Sequence, residues 1–122
     1  MNLKTNNNIE EHVMQRIVKT LTLKDDPELI GEYRRVHENI WPEIRNGILE
    51  VGVTTMDIYL LGNLLVMIVE APDTIDLDAA FSRLAGLPRQ KEWEEFVARF
   101  QNCGKDESSA EKWKVMTRIF KL

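Results

Sequence analysis

Residues 53–71, VTTMDIYLLGNLLVMIVEA, restrict the possible folds more than any other stretch of this chain. Two runs rich in β-branched and apolar residues flank Gly62-Asn63, a pair suited to a two-residue turn, and Pro72 and Asp73 end the second run. The pattern predicts a β-hairpin. Its second arm carries Leu64, Val66 and Ile68 on one face and Leu65, Met67 and Val69 on the other. A strand apolar on both faces needs cover on both. If helices cover one, the simplest cover for the other is the same sheet of a second copy, in a symmetric homodimer. The alternative is that terminal segments fold across that face.

The rest of the chain supplies the helices. HVMQRIVKTLTL (12–23) reads as a first strand, ending at KDDPEL, where Asp25 or Asp26 can cap a helix with Pro27 and Glu28 in its first turn. The apolar stripe Leu29/Ile30, Tyr33, Val36/His37, Ile40/Trp41 carries that helix to about residue 39. Pro42 disfavours helix at Trp41 and suits the start of a new one, so a break falls at 39–41 and a second helical piece spans 42–51, closed by Gly52. Helices are predicted over 76–86 and 88–102, the second with Trp93, Phe96/Val97 and Phe100 on its stripe. After a polar loop, KWKVMTRIFKL (112–122) alternates as a last strand. The order strand, helix, strand, strand, helix, strand is the ferredoxin-like βαββαβ arrangement, an α+β fold with helices on one face of an antiparallel sheet. Residues 1–11 are expected to be a flexible lead-in and 12–122 a single domain.

Composition narrows the function classes. With 122 residues, 43% hydrophobic and 30% charged, the chain has the makeup of one globular domain. No apolar run approaches the roughly 20 residues that cross a bilayer. A net charge of −4 argues against nucleic-acid or anionic-membrane partners. One cysteine, Cys103, and no export signal make the cytoplasm the default compartment. There is no Gly-rich phosphate loop, no Gly-x-Ser-x-Gly elbow and no metal-ligand spacing, and only two histidines, so neither a metal nor a cofactor is expected.

Several side chains can be read in two ways. Tyr33 and His37 lie four apart on the inward stripe of the first helix. There His37 is either a satisfied core histidine or a proton-transfer group poised near neutral pH. Trp41 anchors the helix break, with ligand contact a secondary role, and Glu43 suits a first turn. Trp93 is either core or a flat wall for a small ring-shaped ligand. Asp57, on a strand between Met56 and Ile58, is a solvated edge residue or an acceptor for ligand hydroxyls. Arg16 is an ion-pair partner, for instance of Asp57, or a ligand contact. His12 reads as surface.

GEYRRVHENIWPEI resembles the signature of the L-rhamnose mutarotase family, in which a tyrosine, three residues, a histidine, three residues and Trp-Pro-Glu recur together. The resemblance runs from residue 13 to 122 through the hairpin, QKEWEEFVARFQ and the closing KWKVMTRIFKL. It implies a dimeric ferredoxin-like α/β barrel, His37 as proton donor, Tyr33 binding or assisting at the sugar, and Glu92 and Trp93 beside it. Members nearest the rhamnose enzymes carry a tyrosine at the position of Met56 and two tryptophans at Glu92-Trp93. The MDIY version resembles a sister branch associated with L-fucose or related deoxy sugars.

The implied reaction is interconversion of the α and β anomers of a monosaccharide by acid–base ring opening and reclosure. It needs no metal, cofactor or covalent intermediate. On this reading Asp57 or Glu92 grips hydroxyls, Trp93 stacks on the C–H face, and Met56, Ile58 or Leu65 cradles the deoxy methyl group. Two alternatives share the scaffold: a cofactor-free dimeric-barrel oxygenase or isomerase, and a non-catalytic sugar-binding protein.

Overall fold

The structure, a computed structural model, describes residues 13–104 and 106–122. The lead-in 1–11 and His12 lie outside the described residues. Four strands, β1 (Met14–Thr22), β2 (Thr55–Leu61), β3 (Leu64–Pro72) and β4 (Lys114–Val115), form one sheet in the order β2-β3-β1-β4. All neighbours are antiparallel. Between them run α1 (Pro27–Glu38), α2 (Pro42–Glu50), α3 (Leu77–Leu84), α4 (Gln90–Ala98) and a short α5 (Ser109–Lys112). This is the α+β ferredoxin-like order that the sequence predicts.

Local chemistry sets the element ends. The Asp26 side chain accepts from the backbone N–H groups of Glu28 and Leu29, at 2.9 and 3.4 Å, and Pro27 follows it at the helix start. Such a cap is worth about 1 kcal/mol. Trp41, before Pro42, takes the extended conformation (φ −59°, ψ 136°) that a following proline favours, which separates α1 from α2. Gly62 opens the hairpin turn at φ 60°. Gly52 follows α2 at φ 107°, and a Cβ there would stand 3.0 Å from Ile75 Cδ1, so both conformation and space ask for glycine. Asn63 then ties the hairpin tip to the end of β1, its side-chain amide donating to the Leu23 carbonyl at 3.0 Å.

Strand register sorts the side chains between faces. Ile17 opposite Val69, Lys19 opposite Met67 and Leu21 opposite Leu65 share one face with Met56, Ile58 and Leu60 of β2. Leu21, Leu65, Met67 and Val69 are buried there with Tyr33, Ile44, Trp93, Val97 and Phe100 from the helices. Val18, Val66 and Ile68 occupy the opposite face and stay half-buried, beside Tyr59, Asp57 and the Arg16–Glu70 ion pair at 3.0 Å. Arg16 therefore pairs across the sheet with Glu70, which also accepts from Thr55, and not with Asp57.

The C-terminal stretch departs from expectation. Ser108 and Glu111 make a reciprocal capping box that nucleates α5 within the segment read as a loop. Lys112 and Trp113 then turn into the core, so strand pairing begins only at Lys114 and ends after Val115. The Met116 N–H still reaches the Val18 carbonyl at 2.7 Å, after which the chain leaves the sheet. Alternation alone does not make a strand: β1 runs on to Met14, yet pairing with it stops here, and residues 117–122 are exposed, Ile119 at 94%.

Candidate active site

A cleft of about 1200 Å³ opens between the helices and the inner face of the sheet. The inward stripe of α1 sends Tyr33 and His37 into its wall, and the stripe of α4 sends Trp93. Met56, Ile58 and Met67 supply the apolar floor from the sheet. Tyr33 and His37 also border a second hollow of about 270 Å³, so the pair forms part of the partition between two spaces.

The rings lie 4.2 Å apart by centroid, tilted by 33°. His37 Nδ1 is 2.8 Å from the Tyr33 backbone oxygen, an acceptor only, so in the neutral ring the proton sits on Nδ1 and the lone pair on Nε2. Burial lowers the His37 pKa from its ordinary 6.5, against a smaller upward pull from that backbone hydrogen bond. The imidazole is thus neutral at pH 7. Tyr33 is only 3% exposed, and its phenol is raised to about 12, chiefly by burial; the Gln101 hydrogen bond opposes this and the Glu94 charge adds to it. Gln101 Nε2 donates to Tyr33 Oη at 3.3 Å. Across physiological pH the site therefore presents a proton acceptor beside a neutral phenol.

Aromatic contacts fix this pair. Trp93 meets His37 edge-on at 5.5 Å and Trp41 at 5.2 Å, while Trp41 stacks on Phe96 at 5.7 Å. The Arg89 guanidinium covers Trp41 at 4.1 Å. Trp41 consequently buttresses Trp93 from behind, and Trp93 is both core and cleft wall.

Of the residues singled out from sequence, His37, Tyr33, Trp93 and Met56 are brought together around the cleft. Asp57 borders it, but strand alternation directs its side chain to the opposite face from Met56 and Ile58. Glu92 is not brought in: its side chain is 63% exposed and lies 3.5 Å from Arg89. Sequence reading passed over Gln90 and Glu94 of α4 and Gln101 just beyond its end, all of which line the cleft. The available signal was polar residues in phase with Trp93, Val97 and Phe100. Lys19 was also passed over; its ammonium stands 4.4 Å over the Phe81 ring within the cleft lining. Among the described residues no group of three or more His, Cys, Asp or Glu could hold a metal ion, and no helix is long and apolar enough to cross a membrane.

A ferredoxin-like α+β scaffold with a neutral imidazole and a phenol in an aromatic-walled cleft defines a class of protein: an α+β domain whose cleft sets two proton-exchanging groups beside space for a small ligand. The family profile for L-rhamnose mutarotase matches residues 16–122. An L-fucose mutarotase of Xanthomonas campestris pv. campestris is 36% identical over 111 residues, covering 89% of each chain. The solved structure of an L-rhamnose mutarotase from Formosa agariphila superposes with a TM-score of 0.68 at 20% identity, over 88% of this chain and 98% of that one. The tetracenomycin F2 cyclase of Streptomyces glaucescens, at TM-score 0.55 and 19% identity over 88% and 98% of the two chains, shares the fold. The chain belongs to the L-rhamnose mutarotase family, and its activity is that of an isomerase interconverting sugar anomers.

Proposed function

We propose that the substrate is a deoxy aldose of the L-fucose or L-rhamnose type, and that His37 carries the proton between its two anomeric oxygens. His37 Nε2 takes the proton of the anomeric hydroxyl. As the bond from C1 to the ring oxygen breaks and the C1 carbonyl forms, the imidazolium returns that proton to the ring oxygen. Rotation about C1–C2 followed by the reverse steps gives the other anomer. Both oxygens sit on one carbon, so a single imidazole serves both. A positioned acid–base group of this kind is worth about 10² to 10⁴ in rate.

The observation carrying this reading is the 2.8 Å contact between His37 Nδ1 and the Tyr33 carbonyl, which leaves the lone pair on Nε2. Tyr33, neutral because its phenol is raised to about 12, holds a hydroxyl of the ring. Trp93 faces the C–H side, and Met56 with Ile58 accommodates the deoxy methyl group. The hydroxyl-rich character of such a ligand suits a wall carrying Gln90, Glu94 and Gln101, which a flat apolar substrate would leave unused. Active protein is a homodimer joined through the sheet face bearing Val18, Val66 and Ile68, and it works in the cytoplasm. Saturation-transfer NMR on equilibrated L-fucose, L-rhamnose and a panel of other aldoses tests the assignment. Accelerated anomer exchange with a 6-deoxy sugar supports it; exchange confined to sugars without that methyl group removes the deoxy assignment.

A further inference from the structure

The wall of the cleft opposite the sheet contains an ion pair for which the reaction above has no use. Lys112 is 1% exposed at its side chain, and its ammonium lies 3.1 Å from Glu94 Oε1. Gln90 Nε2 donates to the other carboxylate oxygen, Oε2, at 2.9 Å. The two charges come from different elements, Glu94 from α4 and Lys112 from α5. The capping box of α5 and the burial of Trp113 place Lys112 beneath a segment whose Ser108, Ser109 and Trp113 also line the cleft. A buried pair of this kind adds little net stability over apolar side chains of the same size, so what it secures is the position of a carboxylate.

Glu94 lines the same cleft as Tyr33 and His37, and its side chain keeps 26% of its surface open although Oε1 is enclosed. The open part therefore belongs to the remainder of the side chain. The surrounding wall is short of hydrogen-bond donors: Gln90 Oε1, Glu94 Oε1 and Gln101 Oε1 are enclosed without a hydrogen-bond partner, the Lys112 contact being an ion pair without hydrogen-bond alignment. Glu94 is also near enough to Tyr33 for its charge to bear on the phenol. Glu94 Oε2, which accepts from Gln90, has capacity for a further hydrogen bond, and the hydroxyl groups of a pyranose can donate it.

We propose that Glu94 is a substrate-contacting carboxylate that accepts hydrogen bonds from ring hydroxyls of the bound aldose, with Lys112 as its positioning residue. This rests on the mutarotase reading of the cleft. It assigns sugar recognition to α4 and α5, on the side of the ring away from the proton shuttle.

The test measures kcat and KM for anomer exchange by the full chain on L-fucose and L-rhamnose, together with the thermal midpoint. Substituting Glu94→Gln keeps the shape and removes the charge, and KM should rise about tenfold to a hundredfold, the range of a charge-assisted hydrogen bond, with the loss falling mainly on KM. Lys112→Met should raise KM as well and lower the midpoint. In Glu94→Gln with Lys112→Met no charge is left unpaired, so the midpoint should return toward that of the wild type while KM stays high. The double variant is the one to read if either single variant fails to fold. Monodeoxy analogues add a further measure: one missing hydroxyl should weaken wild-type binding and leave Glu94→Gln indifferent. Wild-type KM in the folded Glu94→Gln protein or in the double variant would reduce the pair to a structural tie and overturn the inference alone. Absence of exchange in the wild-type protein would overturn the mutarotase reading and this inference with it.

Discussion

His37 and Tyr33 are joined twice: the Nδ1 of one lies 2.8 Å from the backbone oxygen of the other, and their rings stand 4.2 Å apart. A helix brings residues four apart onto one face, so a single turn of α1 sets the tautomer of the imidazole and places a phenol beside it.

Exchange rates should follow one ionisation on the acid side. Burial holds the His37 pKa below 6.5, and only the neutral ring can accept the anomeric proton. kcat/KM should therefore rise with pH through a midpoint below 6.5 and level off above it, with no second inflection until the alkaline region where Tyr33, at about 12, ionises. The same depressed value affects folding. The His37 contribution is complete above the unfolded value of about 6.5 and is lost as pH falls through the folded one. A pH series of rates and of chemical denaturation measures both.

Replacing Tyr33 by Phe removes the acceptor of the Gln101 amide and the hydroxyl at the cleft wall. The variant should lose about 1 kcal/mol of stability, and kcat/KM should fall by about tenfold, one hydrogen bond's worth in each case. Urea titration and NMR exchange check the two separately.

Trp93 packs against His37, Trp41 and Phe96 at once. Truncation to Ala should cost about 3–5 kcal/mol, as large-to-small changes at buried aromatics do. Trp93→Phe keeps most of the packing, so its effect should show chiefly as a raised KM. Thermal denaturation and exchange kinetics distinguish the two variants.

Ile68 lies mid-strand on the sheet face away from the helices, with Val18 and Asp57 as its cross-strand neighbours. Size-exclusion with light scattering should give a dimer for the wild-type chain and a monomer for Ile68→Lys, because a charge at the centre of an apolar interface loses its water without a partner. A wild-type monomer at micromolar concentration would refute the sheet-face dimer.

Much of this architecture is legible in the residues because local signals agree with one another. Asp26-Pro27 starts α1, Pro42 divides it from α2, and Gly62-Asn63 sets the hairpin. The two-faced apolar pattern of 64–69 identifies β3 as an interior strand of the sheet. The Tyr33, His37 and Trp93 cluster is legible in part, since inward spacing predicts which face a side chain takes but not what meets it there. Three features were not. Alternation over 112–122 suggested a strand, yet Lys112 and Trp113 are buried ahead of it and pairing covers only Lys114 and Val115. Arg16 found Glu70 through strand register, a long-range relation that no local pattern carries. Beyond their phase with Trp93, Val97 and Phe100, Gln90, Glu94 and Gln101 carry no local signal that sets them apart from other polar residues; only the assembled cleft shows that they line it.

The central claim is most directly tested by anomer exchange in His37→Asn, a substitution near in size that cannot shuttle the proton. Saturation-transfer NMR on a sugar that the wild-type chain accelerates should show exchange at the uncatalysed rate in the folded variant, a loss of about 10² to 10⁴. Exchange by folded His37→Asn within about threefold of the wild type would contradict the account.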